Sequence, residues 1–123
     1  MQPLDVVLLQ RDQSAAGRIV SALTGTSASV HQIQSLDELR SAIARYRASI
    51  AIVDMEVASI SDVEHLSREF PKACLVCTHR LADDRMWTAA LNAGASDICP
   101  PSDTTTIVRV ALKNRASAQS AAA

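Results

Sequence analysis

The sequence predicts an α/β protein built on one doubly wound, parallel, five-stranded sheet. Short apolar runs rich in β-branched residues alternate five times with stretches whose apolar residues recur at helical spacing. Several of those stretches open on a capping residue, which fixes where each helix begins. The 123 residues make one domain, and a 48% hydrophobic content suffices to cover such a sheet on both faces.

Val6, Val7, Leu8 and Leu9 form the first run, bounded by the polar QRDQS and fully buried by its pattern. Ala15, Ala16, Ile19, Val20, Ala22 and Leu23 follow at helical spacing and stop at Gly25, a C-cap signal. Residues 29–34 (SVHQIQ) alternate in polarity and read as a weaker strand at a sheet edge. Ser35 and Glu38 have capping-box spacing ahead of a helix with Leu36, Leu39, Ile43 and Tyr46 in one stripe. Residues 50–53 (IAIV) are the most strand-like run and stop at Asp54. Ser61 and Glu64 offer a second capping box, opening a helix with Val63, Leu66 and Phe70 inward and ended by Pro71. Residues 73–77 form the fourth strand. Asp83 and Asp84 open a fourth helix carrying Met86, Trp87, Ala90 and Leu91, which closes at Gly94. Ile98 and Cys99 make a short fifth strand before Pro100 and Pro101, and Asp103 caps a last helix through Ile107, Val108, Ala111 and Leu112. Strictly alternating strands and helices imply right-handed crossovers, and five such strands fit the flavodoxin-like order 2-1-3-4-5 in three layers. The domain is expected over 1–116, with 117–123 a disordered tail or linker.

Composition excludes several classes of function. Twelve basic residues balance thirteen acidic ones, so no net field draws the domain to nucleic acid. With one Trp, one Tyr and one Phe, base-stacking surfaces are also excluded. No apolar run is long enough to span a membrane and no leader pattern opens the chain, so the expectation is a cytoplasmic protein without membrane contact. Three cysteines are too few, and of the wrong parity, for a disulfide framework. Cys74 and Cys77 form a CxxC, but inside a strand positions three apart face opposite sides, so core packing is expected there and no metal. The three glycines are too dispersed to cradle a phosphate, which leaves a small flavodoxin-like enzyme or nucleotide binder as a remote reading. His79 reads as a solvent-facing loop residue, and His31 and His65 as surface positions.

In an open parallel sheet, sites gather at the carboxyl ends of the strands. Those ends carry Gln10-Arg11-Asp12, Asp54, Thr78-His79 and Pro100-Pro101. Asp54 after IAIV, Thr78 after CLVC, L-x-A-G-A-x-D over 91–97 and PPSDTTTIVRVAL resemble the motifs of response-regulator receiver domains of the chemotaxis-regulator type, over roughly residues 4–115. The resemblance implies a role in two-component signalling or a phosphorelay. It places the phosphoacceptor at Asp54, the strand-four hydroxyl at Thr78 and the Mg²⁺-binding acidic pair at Arg11-Asp12. The phosphate-contacting lysine falls on Pro100, the following proline on Pro101, and the strand-five switch aromatic on or near Ile98.

The departures matter as much as the matches. One acid of the pair is an arginine, the lysine is a proline, and the loop MEVASI after Asp54 lacks the family's Pro and Gly. Three acids would carry a charge of about −3 and call for Mg²⁺, whereas Arg11, Asp12 and Asp54 carry −1. An Arg–Asp attraction at ~4 Å is of order 4 kcal/mol at an effective dielectric of about 20, before desolvation. Arg11 is therefore expected to pair with Asp54 or Asp12 in the space of the metal. The resulting expectation is a pseudo-receiver: not an enzyme, without a cofactor, or at most weakly holding Mg²⁺ at Asp12 and Asp54. The alternative is a phosphorylatable receiver using Asp54 with an unusual metal arrangement. In either case the resemblance implies a protein partner or homodimer at the face of helix four, strand five and helix five, with a histidine kinase a further candidate partner. Met86, Trp87 and Ile98 are its candidate contacts. Trp87 sits at the edge of its helix's apolar stripe, where core packing and a partner-facing anchor are both open.

Overall fold

A computed structural model describes residues 4–26 and 28–122, with side chains described as far as Lys113. Ten elements alternate strictly: β1 (Leu4–Leu9), α1 (Gln13–Thr24), β2 (Ala28–Ile33), α2 (Leu36–Tyr46), β3 (Ile50–Asp54), α3 (Ile60–Glu69), β4 (Cys74–Thr78), α4 (Asp84–Asn92), β5 (Asp97–Cys99) and α5 (Thr104–Ala122). All four pairings are parallel, in the order β2-β1-β3-β4-β5, the doubly wound arrangement expected.

The period of two in the central strands divides the core into two layers. Odd-numbered Val7, Leu9, Ala51, Val53, Leu75 and Cys77 pack with Leu39, Ile43, Val63, Leu66 and Ala90 of α2, α3 and α4. Even-numbered Val6, Leu8, Ile50, Ile52 and Val76 pack with Ile19, Leu23, Ile107 and Ala111 of α1 and α5. A strand covered on both sides has no polar face, and β3 is buried along its whole length. The edge strand β2 is mostly half-buried, as its weaker pattern suggests. The CxxC sulfurs diverge, with Cys77 in the first layer and Cys74 against the second. Burial pushes the Cys77 and Cys99 thiols up to about 12, the opposite of redox activation.

Ser35, Asp83 and Asp103 accept backbone N–H groups at the starts of α2, α4 and α5, where the sequence placed the caps, and Asp12, assigned from sequence to the acidic pair, caps α1. The capping box of α3 lies two residues earlier than Ser61–Glu64. Ser59 accepts from Asp62 N–H while the Asp62 carboxylate accepts from Ser59 N–H, closing the reciprocal pair. Gly25 caps α1 with a right-handed φ of −63°, so its conformational freedom is not used, whereas Gly94 after α4 has φ +109°. Residues 117–122, expected as a disordered tail, continue α5 as helix, in keeping with the high helix propensity of an alanine-rich stretch. His31, read as an ordinary surface position, stacks on Tyr46 with centroids 3.7 Å apart and contacts the Asp5 carboxylate at 3.1 Å.

Candidate functional site

The site follows from register. Leu8, Ile52 and Val76 lie side by side on three neighbouring strands, facing the same way. Two residues further along each chain stand Gln10, Asp54 and Thr78, which inherit that row and that direction. All three are buried, at 5%, 0% and 0% exposure, and they are the buried polar side chains among the described residues. They bond to one another: Thr78 Oγ1 donates to Gln10 Oε1 at 2.8 Å, and Gln10 Nε2 donates to Asp54 Oδ2 at 3.3 Å.

Two backbone groups complete the shell of the carboxylate. Arg11 N–H donates to Asp54 Oδ2 at 2.9 Å, and Glu56 N–H donates to Oδ1 at 2.9 Å. Asp54 is thus an acceptor for three donors, the condition under which a buried carboxylate is tolerated. The backbone carbonyl of Asp54 also takes Val57 and Ala58 N–H, so the loop after β3 winds around this one residue.

Above the row lies a pocket of about 360 Å³ lined by Gln10, Arg11, Asp12, Glu56, Arg80 and Pro101. Arg80 holds Glu56 across it, with Nη2 2.8 Å from Oε1. The hydrogen bond from Arg80, aided by its charge, holds the Glu56 carboxyl below its ordinary range against the opposing effect of burial. Asp12, at the rim, spends Oδ1 on the N–H groups of Ser14 and Ala15 as the cap of α1.

Of the residues singled out in sequence, Asp54 and Thr78 meet as expected. Arg11 does not pair with either carboxylate. Its side chain is exposed, with no ion pair among the described residues, and only its N–H reaches Asp54. The cause is strand alternation: the inward position next to Asp54 belongs to Gln10, so Arg11 faces outward. Pro101 is buried and lines the pocket, while Pro100 is exposed and lies on the neighbouring groove between α4 and α5. Ile98 is 6% exposed, packed in the α2–α4 layer, and forms part of the wall of the α4–α5 groove. Met86 is half-buried against that layer, and Trp87 is 49% exposed on the rim of the α4–α5 groove. His79 Nδ1 accepts from Leu81 N–H and shapes the loop after β4.

Gln10, Glu56 and Arg80 are the site residues that sequence reading missed. Gln10 was accessible in principle, since a two-residue period carried past Leu8 reaches it. Nothing local signals the Glu56–Arg80 pair, because its partners lie on loops after different strands.

The receiver resemblance implies Mg²⁺, and the donor set does not fit it. Mg²⁺ takes anionic or carbonyl oxygens in octahedral geometry. Here both Asp54 oxygens accept N–H groups, and Gln10 directs its NH₂ toward the carboxylate. Glu56 is occupied by Arg80, and no group of three or more His, Cys, Asp or Glu among the described residues is placed to hold a metal.

No protein-family model and no curated protein matches this sequence. Solved structures do match its fold. The chain is similar to a response regulator from Thermotoga maritima, with TM-score 0.83 and 16% identity over 92% of this chain and 98% of that one. It is similar to an orphan response regulator of H. pylori, with TM-score 0.80 and 14% identity over 90% and 96% of the two chains. A response regulator protein from Burkholderia pseudomallei, solved with a phosphorylated aspartic acid, a calcium ion and citrate, matches at TM-score 0.76 and 18% identity, over 98% of this chain and 73% of that one. The chain has the receiver-domain fold. Among the described residues, no helix is long and apolar enough to cross a membrane.

Proposed function

We propose that this chain is an atypical receiver module that signals through protein contacts, its phosphorylation site closed. The carrying observation is the shell of Asp54. Phosphoryl transfer to a carboxylate needs a free oxygen in line with the donor, and a cation to offset charge on the transferring group. Asp54 is fully buried, with two N–H groups on Oδ2 and one on Oδ1, so no oxygen faces a donor from solvent, and Arg80 is held by Glu56. A proline stands at the position where the resemblance places lysine.

The contact surface in this reading is the α4–β5–α5 face. Trp87 is exposed there beside a groove of about 420 Å³ whose rim includes Asp83, Asp84, Asp97 and Asp103. Exposed Trp residues are enriched among the few that dominate binding energy. A second copy or a separate protein seats on this face, and a histidine kinase remains a partner only if Asp54 accepts phosphate. The test is intact-mass measurement after incubation with acetyl phosphate and Mg²⁺. The reading expects no phosphoryl adduct. A stoichiometric adduct, absent from Asp54→Ala, overturns it in favour of a phosphorylatable receiver.

A further inference from the structure

Asp54 has two kinds of donor around it, and they differ in origin. The N–H groups of Arg11 and Glu56 belong to the backbone, and their positions are fixed by the path of the chain whatever side chains stand there. The third donor, the Gln10 carboxamide, is a side-chain choice. It is also the group that joins three strand ends, since Thr78 on β4 donates to Gln10 after β1, which donates to Asp54 on β3. An amide has one acceptor and two donor hydrogens, so it satisfies a hydroxyl and a carboxylate together without any charge of its own.

We infer that Gln10 is a neutral substitute for a divalent cation: its amide crosslinks Asp54 and Thr78 and holds the pocket in a permanently closed, cation-independent form. This rests on the reading of Asp54 as silent and names the residue that silences it. The chemistry of the row supports the assignment. A cation in this place would attract the Asp54 carboxylate and offset its charge, and the amide NH₂ performs the same bridging through hydrogen bonding. The Glu56–Arg80 pair above covers the same opening with an internal cation. No other buried side chain among the described residues presents a polar group to Asp54.

The isosteric variant Gln10→Glu tests this, because it changes only the NH₂ to an oxygen. Two carboxylates then stand where 3.3 Å now separates amide nitrogen from oxygen. At a pH high enough to ionise both, so that no shared proton replaces the amide hydrogen, their repulsion makes the fold depend on a cation. Thermal unfolding is followed for wild type and Gln10→Glu, with and without Mg²⁺, the ion itself being the probe. Wild type is expected to show no Mg²⁺-dependent change. Gln10→Glu is expected to melt lower without Mg²⁺, and to gain roughly 5 °C once the ion exceeds its dissociation constant about tenfold. If Gln10→Glu folds only with Mg²⁺, the inference stands in a stronger form. If it folds in neither condition, Gln10→Ala decides. Paramagnetic Mn²⁺ should broaden the Arg11 and Glu56 amide signals in Gln10→Ala and leave them sharp in wild type.

Three results overturn the role of Gln10: a folded Gln10→Glu indifferent to Mg²⁺, unbroadened amides in Gln10→Ala, and a saturable Mg²⁺ shift in wild type. Phosphoryl labelling of wild type is a separate result, which removes the silent-site reading itself.

Discussion

Replacing Asp54 by asparagine separates a structural carboxylate from a chemical one. The wild-type group accepts from Gln10 Nε2 and Arg11 N through Oδ2 and from Glu56 N through Oδ1, with no exposed surface. An asparagine offers a single oxygen. Placed at Oδ2, it leaves Glu56 N–H facing an NH₂ group; placed at Oδ1, it leaves Arg11 N–H so, even if the Gln10 amide rotates. One stranded donor costs about 1–3 kcal/mol, and the remaining bonds weaken as their acceptor loses its charge. Relief from burying that charge offsets part of this, leaving roughly 2 kcal/mol of destabilisation. Urea unfolding reads it as a lower midpoint at unchanged slope. Asp12→Asn is the internal control, since asparagine caps a helix about as well as aspartate, and its change should stay within about 0.5 kcal/mol. If Asp54→Asn is as mild as Asp12→Asn, the carboxylate is not tied into the fold and the site is not closed.

Two further outcomes follow from the fold around α4. Gly94 has φ +109°, and a Cβ built there would stand 2.6 Å from Ser67 Cβ and closer still to Ser67 Oγ on α3. Gly94→Ala is therefore expected to cost about 2–4 kcal/mol in urea unfolding; a loss under about 1 kcal/mol would mean that α3 and α4 part easily. Trp87→Ala is expected to abolish association through the α4–β5–α5 face in sedimentation equilibrium while lowering stability by less than about 1 kcal/mol, as suits a half-exposed side chain. A stability loss of about 3–5 kcal/mol with association unchanged would make Trp87 a core residue.

Architecture was legible because a doubly covered strand leaves a simple trace. Residues 50–53 are apolar without interruption, and the chain can bury both faces of such a run only between two helical layers. Asp103 and Asp83 were legible as caps because a carboxylate three residues ahead of a backbone N–H is a local arrangement. The α3 cap was misplaced because residues 59–64 contain two serines, each followed three residues later by an acid, and the choice depends on where the β3 loop delivers the chain. The site was half legible. Asp54 and Thr78 stand at strand ends, where position alone marks them. The resemblance places Arg11 in the acidic pair, and a motif match counts residues but not the direction of side chains. Strand register decides that direction, and it gives the inward position to Gln10. A three-residue strand such as β5 is too short to show in sequence that Ile98 packs inward.

The central claim, that Asp54 is closed to phosphate and metal, is read most directly at the amides bonded to its carboxylate. Arg11 and Glu56 N–H each donate to one of its oxygens, so their resonances in an amide correlation spectrum report any change there. On adding Mg²⁺ and then acetyl phosphate to the wild-type protein, both resonances are predicted to stay in place. A saturating shift of the two together, missing in Asp54→Ala, would contradict the account.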